Sequence, residues 1–483
     1  MEVKKRLVLL NVITSGAQVV FIGLVYFLMY RYLLSKLGVE LLGVWSVVLS
    51  TSSLANLANF GVADSVIRFV ALYTAERDEL KIKQLIFTST IFLSILFILI
   101  AAVIYPFANL ILTGVLPAKY IKEGLAILPY SLICLILNAV NGVYASVLDG
   151  MQKNYIRNII FSSSSIFLLI GVYVLVPKHH LLGVAYAQIG QSIFALLTCL
   201  ILIIFRLKYN PLKWNWNKAI FKQIFSYGIK FQFISLAAMV NEPIIKILLG
   251  KFGGMAFAGY YEMANRLLSQ ARGVIVSATQ SLVPVLVNVS KNEIPKLYKK
   301  ILSNVTFFSL SIVCIIVPAG RLISLYWIGH YEPIFYYTLM LLAFSTFINL
   351  LTSPSYFYYV AKANLNVLIK THLILSLSNI LIGGLLGYFS GGYGVVCGWF
   401  VATLIGSFYL IIYFNKDHDL IFKSIIKLND IYYFILLVSI VLINVSLFKI
   451  NFKIIDPIAL FFIMSICVYY FVKYKIAEIR HNH

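Results

Sequence analysis

Six ionisable side chains interrupt two long apolar stretches of this 483-residue chain, and they are the residues best suited to chemistry. Lys230, Glu242 and Lys246 fall in the stretch 223–249; Glu262, Arg266 and Arg272 fall in 253–288. A charge at mid-bilayer costs about 2.5–3.5 kcal/mol even on the gentlest scale, so it faces a wet cavity or a partner. Glu242 and Lys246 are four residues apart, as are Glu262 and Arg266, each pair on one helix face in the favourable acid-first order. Such pairs can simply neutralise themselves, and Lys246, near the end of its stretch, can snorkel to the interface. Lys230 and Arg272 have no acid at helical spacing and need another partner. Cations outnumber acids here, which suits an anion with several oxygens, such as a diphosphate, gripped bidentately by arginine.

Neutral polar groups accompany them. Gln18, Asn56, Gln188 and Gln270 are amides inside apolar runs, able to meet sugar hydroxyls or to bond one helix to another. Asn241-Glu242-Pro243 puts a proline inside an apolar stretch, where it removes a helical hydrogen bond and predicts a kink. Pro243 is thus a candidate hinge, or a static bend. Glu242 and Glu262 are the candidates for coupling transport to an ion. His179-His180 and the terminal His481-Asn482-His483 read as solvated ends rather than metal ligands.

The elements that position these residues follow from composition. Hydrophobic residues make up 61% of the chain and charged ones 12%, about half the charge that a soluble domain carries. That excludes a water-soluble globule and a disordered chain. The five cysteines lie in apolar runs without metal-ligand spacing and predict no disulfide. A helix needs about 20 apolar residues to cross the hydrocarbon layer. Windows of that length predict fourteen spans, at about 7–30, 39–59, 84–112, 124–148, 156–176, 181–205, 223–249, 253–288, 301–328, 335–360, 366–389, 391–414, 430–448 and 455–473. The first span follows a basic start and lacks a small-residue cleavage site, so it is expected to be retained.

The 39 Lys and Arg against 17 Asp and Glu would suggest nucleic acid in a soluble protein. Here the bias is one of topology. With the N-terminus inside, 25 basic residues fall in cytoplasmic segments and 10 on the opposite side, so both termini are expected in the cytoplasm and no nucleic acid is expected as a partner. No phosphate-binding GxxxxGK[ST] loop appears, and no extramembrane loop is large enough for a catalytic domain. The sequence therefore predicts transport without chemistry on the cargo, and no cofactor.

A faint internal repeat organises the spans. Residues 36–46 align with 252–262 at an offset of 216, placing Gly38 on Gly254, Gly43 on Gly259 and Trp45 on Tyr261. A second echo sets Gly150–Asn154 against Lys362–Asn366. Six helices per copy is an even number, so the copies share orientation about an axis along the membrane normal. The expected organisation is a six-helix lobe over 1–206, a basic linker at 207–222, a second six-helix lobe over 223–414, and two extra helices with a tail over 415–483.

On Leu37-Gly38…Gly43-Val44-Trp45, Asn59-Phe60-Gly61 with Arg68, Asp149-Gly150…Asn154 and Gly259-Tyr260-Tyr261…Pro284, the chain resembles the Wzx-type polysaccharide (O-antigen) flippases. These sit in the superfamily that also holds MATE exporters and the lipid II flippase. The resemblance implies an all-α membrane protein with two six-helix lobes and two C-terminal helices, in the bacterial inner membrane. It implies as cargo an undecaprenyl-diphosphate-linked glycan, moved to the outer leaflet by alternating access. Membrane lipids, and a polysaccharide polymerase with its chain-length proteins, are the partners expected on the same ground. A lipid II flippase and a MATE-type exporter of small molecules are the alternatives; the exporter predicts uncompensated acids rather than an excess of cations.

Overall fold

A computed structural model describes residues 2–53, 61–226, 241–280, 286, 293–362, 364–418, 428–446, 452–471 and 473. Every regular element among them is helical: α1 (Glu2–Ser53), α2 (Val62–Ala75), α3 (Glu79–Ile104), α4 (Ala108–Val115), α5 (Ile121–Gly150), α6 (Asn154–Leu207), α7 (Asn241–Phe252), α8 (Gly254–Gln280), α9 (Ile294–Ile323), α10 (Pro333–Leu351), α11 (Ser353–Ala361), α12 (Leu365–Asp417), α13 (Leu428–Ser446) and α14 (Phe452–Tyr470). Hydrocarbon leaves no water to satisfy backbone polar groups, so each spanning segment must satisfy them internally. Eight of the described helices are long and apolar enough to cross a membrane. The chain is a multi-pass membrane protein of the expected all-α class.

Three helices carry two spans each. α1, α6 and α12 run for 52, 54 and 53 residues, about 80 Å if straight, against a hydrocarbon layer of roughly 30 Å. Each folds back at one residue of positive φ: Gly38 (φ 76°), His180 (φ 49°) and Gly391 (φ 62°). Packing confirms the reversal. In α6, a Cβ on Gly183 would meet the Leu175 carbonyl and one on Gly171 would meet Ala187, pairings symmetric about residue 179. In α12, Gly394 faces Leu386, Gly398 faces Gly383 and Gly406 faces Leu375. In α1, the Tyr30 and Trp45 rings lie 6.0 Å apart across the turn. The expected spans 84–112 and 335–360 are each continued by a second helix. Pro106 lies in a 3₁₀ turn between α3 and α4, and Pro354 opens α11.

The chain divides into two compact units, Met1–Gly259 and Tyr260–His483. In the first, α5 is the interior helix and packs on α1, α2, α3 and α6. The repeat seen in the sequence is a repeat of backbone. Gly254 (φ 81°) makes the same left-handed turn as Gly38, and the aligned glycines meet. A Cβ on Gly43 would lie 1.9 Å from the Met255 carbonyl oxygen; one on Gly259 would lie 2.4 Å from that of Val39. The offset of 216 carries Val39 to Met255 and Gly43 to Gly259, so the contact is reciprocal. The second echo is displaced by one residue: the turn hydrogen bond from Lys153 N to Leu148 O (2.8 Å) matches that from Asn364 N to Tyr359 O (3.0 Å).

In the second unit, α9 is the interior helix and carries both extra helices, α13 and α14. Phe307 stacks with Tyr470, and the Tyr433 hydroxyl lies 2.7 Å from that of Ser311. Arg321, which the sequence places with the non-cytoplasmic charges, is 1% exposed. Its guanidinium pairs with Asp456 of α14 and donates to the Asn444 Oδ1 of α13 at 2.8 Å, while Asn444 Nδ2 donates to Asp456 at 2.9 Å. All five cysteines are free thiols.

Candidate functional site

The ionisable residues of the two charged stretches fall into three situations. In the first unit, Lys246 is 2% exposed on α7. Its ammonium donates to Glu242 Oε1 at 2.8 Å and to Ser50 Oγ of α1 at 2.7 Å. The pair therefore ties α7 to the second limb of α1, with the Glu242 side chain 55% exposed at its open end. In the second unit, Arg266 Nε donates to Glu262 Oε1 at 2.7 Å. Glu262 is 1% exposed, so the pair keeps a buried carboxylate neutralised while part of the Arg266 side chain stays open. Both acid-first pairs predicted from spacing thus form along their helices.

Arg272 differs. Its side chain is exposed on α8, and among the described residues it makes no hydrogen bond and no ion pair. Its electrostatic neighbours are the Tyr356 phenol of α11 and the His372 imidazole of α12. Those two rings meet edge to face at 6.1 Å, and His372 Nε2 is buried without a hydrogen-bond partner. Among the described residues none of the three is engaged with a carboxylate, which leaves the Arg272 guanidinium open to an oxyanion.

Gln270 lies two residues before Arg272, part-exposed and without a hydrogen bond among the described residues. Lys230 and Asn56 lie outside the described residues. Pro243 is buried on α7, and residues 227–240, where a kink would show, lie outside the described set. Of the other amides, Gln188 accepts from the Trp45 indole at 3.2 Å, so it serves helix packing in the first unit.

Sequence reasoning missed Tyr356 and His372. A single histidine in an apolar run, or one tyrosine among 32, has no spacing that marks it; only its nearness to an arginine some 100 residues away does. The signal within reach was that His372 is ionisable inside a predicted span.

Long helices that fold back at single residues, with turns repeated at an offset of 216, make a helical fold similar to those of solved MATE exporters and of the lipid II flippase. The fold resembles the lipid II flippase MurJ in an inward closed conformation, at 17% identity and a TM-score of 0.71, over 95% of this chain and 99% of that one. It also resembles an inward-facing multidrug resistance MATE family transporter of the MOP superfamily, at 12% identity and a TM-score of 0.69, over 84% of this chain and 98% of that one. A MOP superfamily transporter from Pyrococcus furiosus, described as having a binding pocket of reversed polarity, is similar at 13% identity and a TM-score of 0.60, over 85% of this chain and 95% of that one. The chain belongs to the polysaccharide biosynthesis protein family, whose model matches residues 8–290. No curated protein sequence matches it.

Proposed function

We propose that the protein is a flippase that carries a polyprenyl-diphosphate-linked oligosaccharide, an O-antigen or a capsule or exopolysaccharide repeat unit, from the inner to the outer leaflet of the bacterial cytoplasmic membrane. The observation that carries this reading is Arg272, a guanidinium on α8, in a stretch expected from the sequence to span the membrane, that no carboxylate neutralises among the described residues. Moving a diphosphate through hydrocarbon unaided is prohibitive, because the charges lose their water with nothing in return. A fixed guanidinium replaces part of that water. Membership of the polysaccharide biosynthesis family and the likeness to the lipid II flippase support a lipid-linked glycan as cargo. Lipid II itself belongs to the same chemical class. The described acids of the charged stretches, Glu242 and Glu262, are paired with cations, which weighs against a cavity built for a cationic drug.

In this reading Arg272 binds the diphosphate directly, Arg266 adds positive charge from its open side, and Gln270 and Asn56 contribute neutral contacts. Lys230 is a further cation on the same path. Lys246, held against Glu242 and Ser50, is a fourth cation for the cargo, Glu242 and Glu262 are the candidates for coupling, and Pro243 is the hinge. The two lobes run over 1–206 and 223–414 and alternate access to the two leaflets, with both termini in the cytoplasm. A polymerase and chain-length proteins then take the product.

Complementation of a strain lacking the protein tests this. Arg272→Ala should abolish surface polysaccharide while the protein stays in the membrane, and Arg272→Lys should restore part of it. The deletion strain should accumulate the lipid-linked glycan in its inner leaflet. Normal export by Arg272→Ala refutes the proposal.

A further inference from the structure

Within the first unit, an open recess of about 400 Å³ lies between the first limbs of α1 and α6. Its lining is mixed and carries no charge: Ala17, Phe21, Ile159 and Ile166 supply most of the exposed surface, and five polar side chains interrupt it. Thr14, Gln18 and Phe21 are spaced along one face of α1; Asn158, Ser162 and Ser163 come from α6. The base is pinned. Asn158 is 1% exposed, donates to Ser15 Oγ at 2.9 Å and to Thr14 Oγ1 at 3.3 Å, and accepts from Arg157, which pairs with Asp149.

The rest is not pinned. Among the described residues, Gln18, Ser162 and Ser163 make no hydrogen bond, whereas Ser164 and Ser165 of the same helix both donate to the Phe161 carbonyl at 2.9 Å. A serine in a membrane helix ordinarily satisfies itself in that way. Gln18, Ser162 and Ser163 are partly exposed and line one recess, so together they offer unengaged amide and hydroxyl groups that an acyl chain would leave without hydrogen bonds. The volume lies within the range of small-ligand pockets, about 300–1,000 Å³. Phe21, 36% exposed, adds an aromatic edge.

We propose that this recess binds the sugar end of the lipid-linked glycan. The inference rests on the function proposed above and adds to it a second, neutral subsite, distinct from the cationic cluster at Arg272. Hydroxyl and amide groups without charge match a polyhydroxylated ring and give a diphosphate no fixed cation.

Two probes separate the subsites: the polyprenyl-diphosphate oligosaccharide that accumulates in cells lacking the protein, and undecaprenyl diphosphate alone. Binding is measured on the full-length protein in lipid nanodiscs. The wild type should bind the glycan-bearing lipid on the order of tenfold more tightly than the bare one, as a few net hydrogen bonds would give. Combined Gln18→Leu, Ser162→Ala and Ser163→Ala should reduce that preference to nearly one. Arg272→Ala should weaken both probes alike. A preference that survives in the triple variant, or is absent from the wild type, overturns the sugar site. Undiminished binding of bare undecaprenyl diphosphate by Arg272→Ala overturns the diphosphate reading instead and leaves the sugar preference measurable. A Ser163→Cys variant checks the recess without ligand: reaction with a charged methanethiosulfonate reagent supports a wet site, and its failure to react overturns it.

Discussion

Substituting alanine at Gly43 is the most direct test of the repeat. The added Cβ would sit 1.9 Å from the Met255 carbonyl oxygen, 2.8 Å from its carbonyl carbon and 3.1 Å from Gly259 N, all backbone atoms. Ordinary van der Waals contact begins near 3.4 Å, so α1 and the start of α8 must separate by about 1.5 Å. No side chain can rotate to absorb that. Overpacking of a well-filled contact costs about 1–3 kcal/mol, and a backbone-to-backbone clash belongs at the upper end or beyond. Gly142, inside α5, supplies the control: a Cβ there meets nothing within 4 Å, and alanine gains up to about 1 kcal/mol over glycine in a helix. Thermal unfolding in detergent should therefore give opposite shifts, with Gly43→Ala melting several degrees below the wild type and Gly142→Ala at or above it. Gly259→Ala should resemble Gly43→Ala, and the double variant should cost less than the sum because both relieve the same contact. A Gly43→Ala protein that melts with the wild type and exports normally would show that the two turns do not touch.

Two further substitutions follow from the backbone and from the buried pair. His180→Gly should raise the melting temperature, since a β-carbon in that left-handed turn costs on the order of 1 kcal/mol that glycine does not incur, while Gly391→Ala in the matching turn of α12 should lower it. Asp456→Asn or Arg321→Met alone should destabilise the second unit by about 3–5 kcal/mol, and Arg321→Met combined with Asp456→Leu should recover most of the loss in the same melt.

What was legible in the sequence was whatever repeats or runs. Apolar length located the eight described helices long enough to cross a membrane, and the paired glycines located turns whose φ angles agree at 38/254 and whose contacts agree at 43/259. The acid-first pairs were legible because both partners lie one helical turn apart. The rest was hidden for one physical reason: its partners are distant along the chain. Arg321 finds Asp456 across 135 residues, so counting local charges assigned it to the membrane surface. His180 does in α6 what Gly38 does in α1, but a histidine in a turn carries no pattern. The Ser162-Ser163 pair is indistinguishable from Ser164-Ser165 by sequence, and only the direction each hydroxyl faces separates a lining from a helix satisfying itself.

The turns of the first unit gather at one end. The Tyr32 and Tyr173 rings stack at 4.0 Å beside the reversals at Gly38 and His180, the Gly254 turn abuts Val39, and the Tyr120 hydroxyl and Lys119 ammonium reach Glu40 just past Gly38. Each reversal takes only a residue or two. That end of the unit consequently exposes almost no slack polypeptide to the aqueous phase. Proteases and antibodies would find little to grip there, and an inserted epitope would have to displace packed backbone.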